Sequence, residues 1–275
     1  MTRVAVVGHV EWMRFARVPR LPGPGEVVHA TEAWEEPGGG GAVAAVQLAR
    51  LVGEADLFTA LADDDLGRRS RARLEELGVR VHAALRPPPH RHGFCHVVHG
   101  GDRTITVVGE RIVPRGDEAL PWERLADADA VYFTGGDAAA LRAARRARML
   151  VAIPRPADAL MAGGVRLDAL VRSEADPAEQ LDPARLEPPP DVVVSTAGAR
   201  GGRWESADGR RGRYGAAPLP GRPVDAYGLG DCFAAAFTFG LGSGRGLEEA
   251  LRLGALAGAH ELTGRAPYEG MLSAA

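Results

Sequence analysis

The stretch 225-DAYGLGDCFAAAFTFGLGSG-244 combines two glycines, an aspartate and a long apolar run of small residues. Gly228 and Gly230 have no side chains, so a ligand can approach the backbone N–H groups there closely. The apolar run predicts a helix that begins near Leu229, and the first N–H groups of a helix have no partner within it. A helix start of this kind attracts anions. Asp231 is therefore either a helix cap or a catalytic base beside a bound anion.

The composition is that of a globular protein, and it excludes several kinds of phosphate site. The chain has 275 residues, 45% hydrophobic and 25% charged, with a net charge of −3. These values favour neither nucleic acid nor an anionic membrane as a partner. All 33 basic residues are arginine, and there is no lysine and no asparagine. A Schiff-base lysine and a P-loop are therefore excluded, and phosphate chemistry must use backbone amides, arginine or a metal.

The two cysteines, Cys95 and Cys232, belong to no CxxC pair and lie in apolar stretches. We therefore expect two reduced, buried thiols in a cytoplasmic protein. The N-terminal stretch 2-TRVAVVGHV-10 is too short and too quickly interrupted for a signal peptide. No apolar run approaches the roughly 20 residues that span a bilayer, so we expect no membrane partner.

Apolar strands alternate with helical segments along most of the chain, which predicts an α/β fold with a parallel sheet covered on both faces. Residues 24–35 and 94–108 instead alternate between polar and apolar. This pattern predicts strands with one polar and one apolar face, in a small separate β layer. Four short apolar runs predict the buried strands: Val4–Gly8, Ala130–Phe133, Met149–Ile153 and Val192–Ser195.

Four motifs, in order along the chain, resemble those of the ribokinase-like (PfkB) carbohydrate kinases. Residues 224-VDAYGLGDCF-233 resemble the family's V-D-T-T-G-A-G-D-x-F. The stretch 22-PGPGEVVHATEAWEEPGGGGAVAAVQLARL-51 is similar to P-x-P-G-E followed by G-G-x-G-A-N. The stretch 59-TALADDDLGRR-69 is similar to G-x-D-x-x-G, and 192-VVVSTAGARGG-202 to V-T-x-G-x-x-G. The chain is therefore identified as a member of this family over nearly its whole length.

This resemblance implies a three-layer α/β/α sandwich with a mostly parallel central sheet. It implies one kinase domain over residues 1–275, with a β lid formed by about residues 11–35 and 90–112 and a homodimer through that lid. The implied reaction transfers the γ-phosphoryl of ATP, with Mg²⁺, to a hydroxyl of a sugar-like small molecule. Asp231 would be the general base, and the amides of the preceding residues would form the anion hole: Gly228, Leu229 and Gly230.

Further site residues take their roles from the same resemblance. Asp176 keeps the carboxylate of the family's N-x-x-E motif, one methylene shorter, and would hold Mg²⁺ through water. Asp225 would line a monovalent-cation site for K⁺. The nucleotide would be bound by Thr196, Gly198 and Gly201. The acceptor would be bound by Gly38, Gly39 and Gly40, and by the residue at position 43, here Val43.

The acceptor half of the site departs from the family pattern. The aspartate position of the first strand is Met13, and the asparagine of G-G-x-G-A-N is Val43. Neither side chain can hold a hydroxyl, although Glu11 could supply a carboxylate. Arg103 and either Arg91 or His92, all in the predicted lid, are candidate acceptor contacts. The sequence therefore favours a kinase with an unusual acceptor, and leaves open a relative that binds nucleotide or sugar as a sensor.

Overall fold

A computed structural model describes residues 2–98 and 100–274, which form thirteen β-strands and six α-helices. None of these helices is both long and apolar enough to cross a membrane. The strands are β1 Val4–Val7, β2 Glu11–Arg17, β3 Glu32–Gly38, β4 Ala55–Ala62, β5 Val79–Arg86, β6 His92–Val97, β7 Arg103–Val108, β8 Ala130–Phe133, β9 Met149–Ala152, β10 Ala169–Ser173, β11 Val192–Thr196, β12 Gly202–Ser206 and β13 Arg211–Tyr214. The α-helices are α1 Gly40–Val52, α2 Asp65–Glu76, α3 Ala138–Ala144, α4 Ala157–Gly163, α5 Leu229–Gly242 and α6 Leu247–Glu261.

The larger sheet has nine strands in the order β13-β12-β11-β10-β9-β8-β1-β4-β5. All neighbouring pairs from β11 to β5 are parallel, and β12 and β13 add an antiparallel edge. Strand β1 shows why two helix layers are needed. Val4 and Val6 belong to a core shared with α1, α5 and α6, whereas Ala5 and Val7 belong to a core shared with α3 and α4. Successive side chains of a strand face opposite ways, so the predicted three-layer α/β/α sandwich is confirmed.

The smaller sheet has four strands in the order β3-β2-β6-β7, and is called the small sheet below. Strands β3, β6 and β7 come from or overlap the two segments whose polar and apolar residues alternate, whereas β2 precedes both segments. The strand predicted over residues 24–35 begins only at Glu32, because Glu32 pairs with Arg17 at the end of β2; a turn from Gly23 to Glu26 lies before it. Strands β6 and β7 pair antiparallel, and their connection includes His99, which lies outside the described residues. A homodimer through this sheet stays a prediction.

Both cysteines are free and buried, as the sequence predicted. Cys95 lies in β6 and Cys232 in α5, where they pack as small apolar side chains in the larger core. Burial raises the pKa of Cys95 to about 12 and that of Cys232 well above its ordinary value. Both side chains therefore stay protonated at neutral pH and act as packing residues rather than nucleophiles.

Candidate active site

Helix α5 begins at the carboxyl edge of the parallel strands, after a turn that only glycine fits. Gly228 has a φ of 81°, in the left-handed region, and no side chain caps the first amides of the helix. A Cβ on Gly228 would lie 2.9 Å from Cγ1 of Val43. Val43 is itself fully buried and packs behind this turn rather than lining the cavity in front of it. The Val43 side chain therefore supports the turn from behind, and the first N–H groups of α5 are directed toward the cavity.

A polar cavity of about 350 Å³ lies between this helix start and the small sheet. Asp231 lines it, and Oδ1 of Asp231 accepts a long hydrogen bond from the Tyr132 hydroxyl at 3.5 Å. A Cβ on Gly40 would lie 2.8 Å from the same carboxylate oxygen, so the glycine leaves the space beside the carboxylate open. The cavity therefore presents a carboxylate that a small ligand can reach.

The environment of Asp231 suits a base. Burial raises its pKa to about 6, and the nearby negative charge of Glu179 acts in the same direction, while Arg155 and Arg103 oppose it. A carboxylate with this pKa is ionised at neutral pH and takes up a proton more readily than an ordinary aspartate. General bases work best when their pKa lies near the working pH.

A second cavity, of about 400 Å³, lies on the other side of the α5 start and is mostly apolar. The rings of Tyr214 and Phe233 stack along it with their centroids 5.7 Å apart. Thr196 and Gly230 line both cavities, so the two meet at the helix start. The predicted nucleotide-binding residues all lie here: Thr196, Gly198 and Gly201.

The predicted acceptor residues are only partly brought together. Gly39, Gly40, Glu11 and Arg103 line the polar cavity, and Glu11 accepts a 2.6 Å hydrogen bond from Nε of Arg91. Two other residues lie behind its wall. A Cβ on Gly38 would meet the Tyr227 hydroxyl at 2.4 Å, and Met13 is fully buried in the core.

Asp176 lines the polar cavity beside a second acidic side chain, Glu179. Asp176 forms an ion pair with Arg155 and accepts a 2.9 Å hydrogen bond from the amide of Ala178. Glu179 accepts from Nε of Arg155 at 3.0 Å and from the amide of Ser173 at 2.7 Å. Within the described residues no cluster of three or more acidic, histidine or cysteine side chains forms a ready metal site. The two carboxylates suit water-mediated contact to a metal rather than a full ligand set.

Asp225 lies beneath the turn that precedes α5 and is fully buried. Its Oδ1 accepts from the amide of Tyr227 at 3.0 Å, and its Oδ2 has no hydrogen-bond partner among the described residues. Glu261 is also fully buried, with neither carboxylate oxygen partnered. Burial raises the pKa of Asp225 and raises that of Glu261 to about 9, and the negative charges of Asp225 and Glu269 add to the effect on Glu261. Unpartnered buried carboxylate oxygens are expensive, and a cation would satisfy them.

The comparisons with known proteins agree with this geometry. A family model described as pfkB family carbohydrate kinase matches residues 1–155 and 152–271. The chain belongs to the pfkB family of carbohydrate kinases. This confirms the predicted family and the predicted enzyme class, a phosphotransferase of the carbohydrate-kinase type.

Three relatives of this pfkB-family protein show how far the likeness reaches. Ribokinase from Bacillus subtilis is 28% identical over 276 residues, which cover 92% of this chain and 90% of the relative. ATP-dependent ribose-1-phosphate kinase from Halopiger xanaduensis is 30% identical over 136 residues, so the match spans about half of each protein (49% and 46%). The structure of Arabidopsis thaliana ribokinase complexed with ribose and ATP superposes with a TM-score of 0.75 at 21% identity, covering 99% of this chain and 96% of the other.

Several cavity residues of this pfkB kinase were missed by the sequence analysis. Thr134 and Arg155 follow β8 and β9 at their carboxyl ends, where α/β sheets bind ligands, so strand position was a usable signal for both. Glu179 lies on a turn three residues beyond Asp176, and its role depends on folding back to Arg155. Arg111 lies just after β7, inside the predicted lid, but no motif around it marks it as a site residue.

Proposed function

We propose that this chain transfers the γ-phosphoryl group of ATP to a hydroxyl of a sugar-like small molecule. The observation that carries the proposal is the place of Asp231, at a glycine-rich helix start where a polar and an apolar cavity meet. The acceptor oxygen forms a bond to the γ-phosphorus, and the bond from that phosphorus to the bridging oxygen of ADP breaks. The hydroxyl proton passes to the Asp231 carboxylate.

The backbone at the helix start and the apolar cavity would serve the nucleotide. The amides of Gly228, Leu229 and Gly230 would stabilise the charge that develops on the phosphoryl group. Thr196, with Gly198 and Gly201, would bind the nucleotide where its base enters the apolar cavity. The Arabidopsis ribokinase complex with ribose and ATP supports ATP as the donor. The small sheet, which covers the polar cavity with β7 residues such as Ile105, would be the lid.

Two cations fit the same proposal. Mg²⁺ bound to ATP would neutralise phosphate charge, and Asp176 and Glu179 would hold it through water at the edge of the polar cavity. K⁺ would lie at Asp225 and Glu261, whose unpartnered oxygens lie beneath the turn that leads into α5.

The K⁺ site is expected to appear as a salt-specific stabilisation. The unfolding temperature should be higher in potassium chloride than in choline chloride of equal ionic strength, because a bound cation stabilises only the folded chain. Asp225→Asn should remove most of this difference, since it removes a carboxylate that attracts the ion. Equal unfolding temperatures of the wild-type protein in the two salts would contradict the site.

Coupled ADP release with Mg-ATP tests the function itself against neutral sugars, sugar acids, sugar phosphates and nucleosides. The names of the relatives, ribokinase and ribose-1-phosphate kinase, put pentoses and their phosphates first in the series. ADP release that depends on an acceptor supports a kinase. Tight ATP binding without ADP formation for any acceptor would instead favour the sensor.

The pH profile of catalysis is expected to report the raised pKa of Asp231. The carboxylate must be ionised to accept the hydroxyl proton, so kcat/KM for the acceptor should rise with pH up to about 6 and then level off. Below that point the rate should fall about tenfold per pH unit. The measurement is kcat/KM between pH 4.5 and 8.5 at saturating Mg-ATP. A flat profile across pH 5–7 would contradict the assignment of Asp231 as the base.

A further inference from the structure

The polar cavity holds a concentration of arginine that the apolar cavity lacks. Among the described residues, no arginine lines the apolar cavity. The positive charge therefore lies on the acceptor side of the helix start rather than on the side of the base and ribose of ATP. Five arginines line the polar cavity: Arg91, Arg103, Arg111, Arg155 and Arg172.

Protein carboxylates neutralise two of these five guanidinium groups. Arg91 pairs with Glu11 at 2.6 Å, and Arg155 pairs with Glu179 and Asp176. Arg172 instead donates to Oγ of Ser195 at 3.2 Å and to a backbone carbonyl.

Arg103 and Arg111 differ from these three. Within the described part of the chain, neither has a carboxylate at salt-bridge distance. Arg103 lies over the ring of Tyr227 at 5.9 Å, whereas Arg111 has no such contact and stays accessible from the cavity. Arg111 is therefore the guanidinium that is free to bind a ligand.

The groups that face Arg111 favour an anion between them. Burial lowers the pKa of Arg111, the positive charges of Arg91 and Arg155 lower it further, and the negative charges of Glu11 and Asp231 act in the opposite direction. His9 lines the same cavity, and burial together with the positive charge of Arg111 lowers its pKa well below the ordinary value. An anionic group there would relieve the repulsion between the arginines.

We propose that the acceptor is itself anionic, a sugar-like molecule whose carboxylate or phosphate group binds Arg111, next to His9 and Arg91, while its free hydroxyl lies at Asp231. The inference rests on the proposed function and specifies its acceptor. The planar guanidinium matches carboxylate and phosphate oxygens with two parallel hydrogen bonds. An ionic contact of this kind also replaces the hydroxyl contacts that Met13, buried in the core, cannot make.

Matched acceptors test the inference with the full-length protein and Mg-ATP. Each sugar is supplied in three forms: neutral, as a phosphate monoester, and oxidised to its acid. The wild-type enzyme should prefer one of the charged forms, and the better of the two identifies phosphate or carboxylate. Arg111→Met should raise KM for that form about 10–100-fold, because it removes a charged hydrogen-bonded contact. Arg111→Lys keeps the charge and should restore part of the affinity. KM for Mg-ATP should change less than about twofold.

Arg115→Met is the matched control, because Arg115 lies four residues further on, is exposed, and does not line the cavity. It should leave all kinetic constants unchanged. A wild-type enzyme that prefers the neutral sugar would overturn the inference while leaving the kinase intact. So would an Arg111→Met variant whose KM for ATP rises as much as its KM for the acceptor.

Calorimetry without ATP separates failure of this inference from failure of the proposed function. If no acceptor releases ADP but a charged sugar binds the wild-type protein and not Arg111→Met, the anion site stands and the kinase reaction does not. If a charged sugar neither reacts nor binds more tightly than its neutral form, the anion site is overturned as well.

Discussion

Replacing Asp231 by asparagine is expected to lower kcat about 10²–10⁴-fold, the usual contribution of a positioned base. The amide has nearly the same shape and keeps the contact with the Tyr132 hydroxyl, but it cannot accept the proton of the attacking hydroxyl. Burial penalises the carboxylate and raises its pKa to about 6, so the neutral amide should not destabilise the fold. The measurements are coupled ADP release with the best acceptor and the affinity for ATP, which should change little.

The matched control for this variant is Asp127→Asn. Asp127 makes a weak surface ion pair with Arg3 at 4.0 Å and its side chain is 74% exposed, so its loss should leave catalysis unchanged. A kcat for Asp231→Asn within about tenfold of the wild-type value would remove Asp231 as the general base. An equal loss in both variants would point instead to an effect of net charge.

The substitution Gly230→Ala is expected to lower kcat/KM at least about 10²-fold without loss of stability. A Cβ on Gly230 meets no protein atom within 4 Å, and alanine favours a helix over glycine by roughly 1 kcal/mol. The unfolding temperature should therefore stay level or rise. The added methyl would enter the space where the two cavities meet, through which the phosphoryl group must pass. Activity and unfolding temperature are measured on the same preparation.

Gly246→Ala is the matched control for Gly230→Ala. Gly246 precedes α6 with an ordinary φ of −65°, and a Cβ there also meets nothing within 4 Å. Its substitution adds the same methyl far from the cavities and should leave activity unchanged. If Gly230→Ala retained near wild-type activity, the phosphoryl group would have to pass elsewhere. If its unfolding temperature fell sharply, the loss would belong to folding rather than to the site.

The sequence was most informative for elements whose place in the fold follows from a local pattern of residues. The apolar runs placed β1 and β8, because strands buried on both faces must be apolar throughout. The start of α5 was placed at Leu229, because two glycines followed by small apolar residues permit few other structures. Alternation misled at residues 24–31, where a turn precedes β3: periodicity alone does not distinguish a strand from an extended loop.

The site was less predictable, because its charged residues come from several strand ends and from the small sheet. Glu11 and Arg91 are 80 positions apart and form one ion pair; no spacing rule links them. Val43 shows a second limit. A motif position predicts the neighbourhood of a residue, but only the fold shows that this side chain packs behind Gly228 rather than facing the cavity.

The junction of the two cavities has a consequence for inhibitor design. Because Thr196 and Gly230 line both chambers, a nucleoside in one and a polyol in the other would contact the same two residues. A single compound that joins the two through a short chain of phosphates would lose its translational freedom once rather than twice on binding. Such bisubstrate compounds should bind more tightly than either half, with linker length as the variable to optimise.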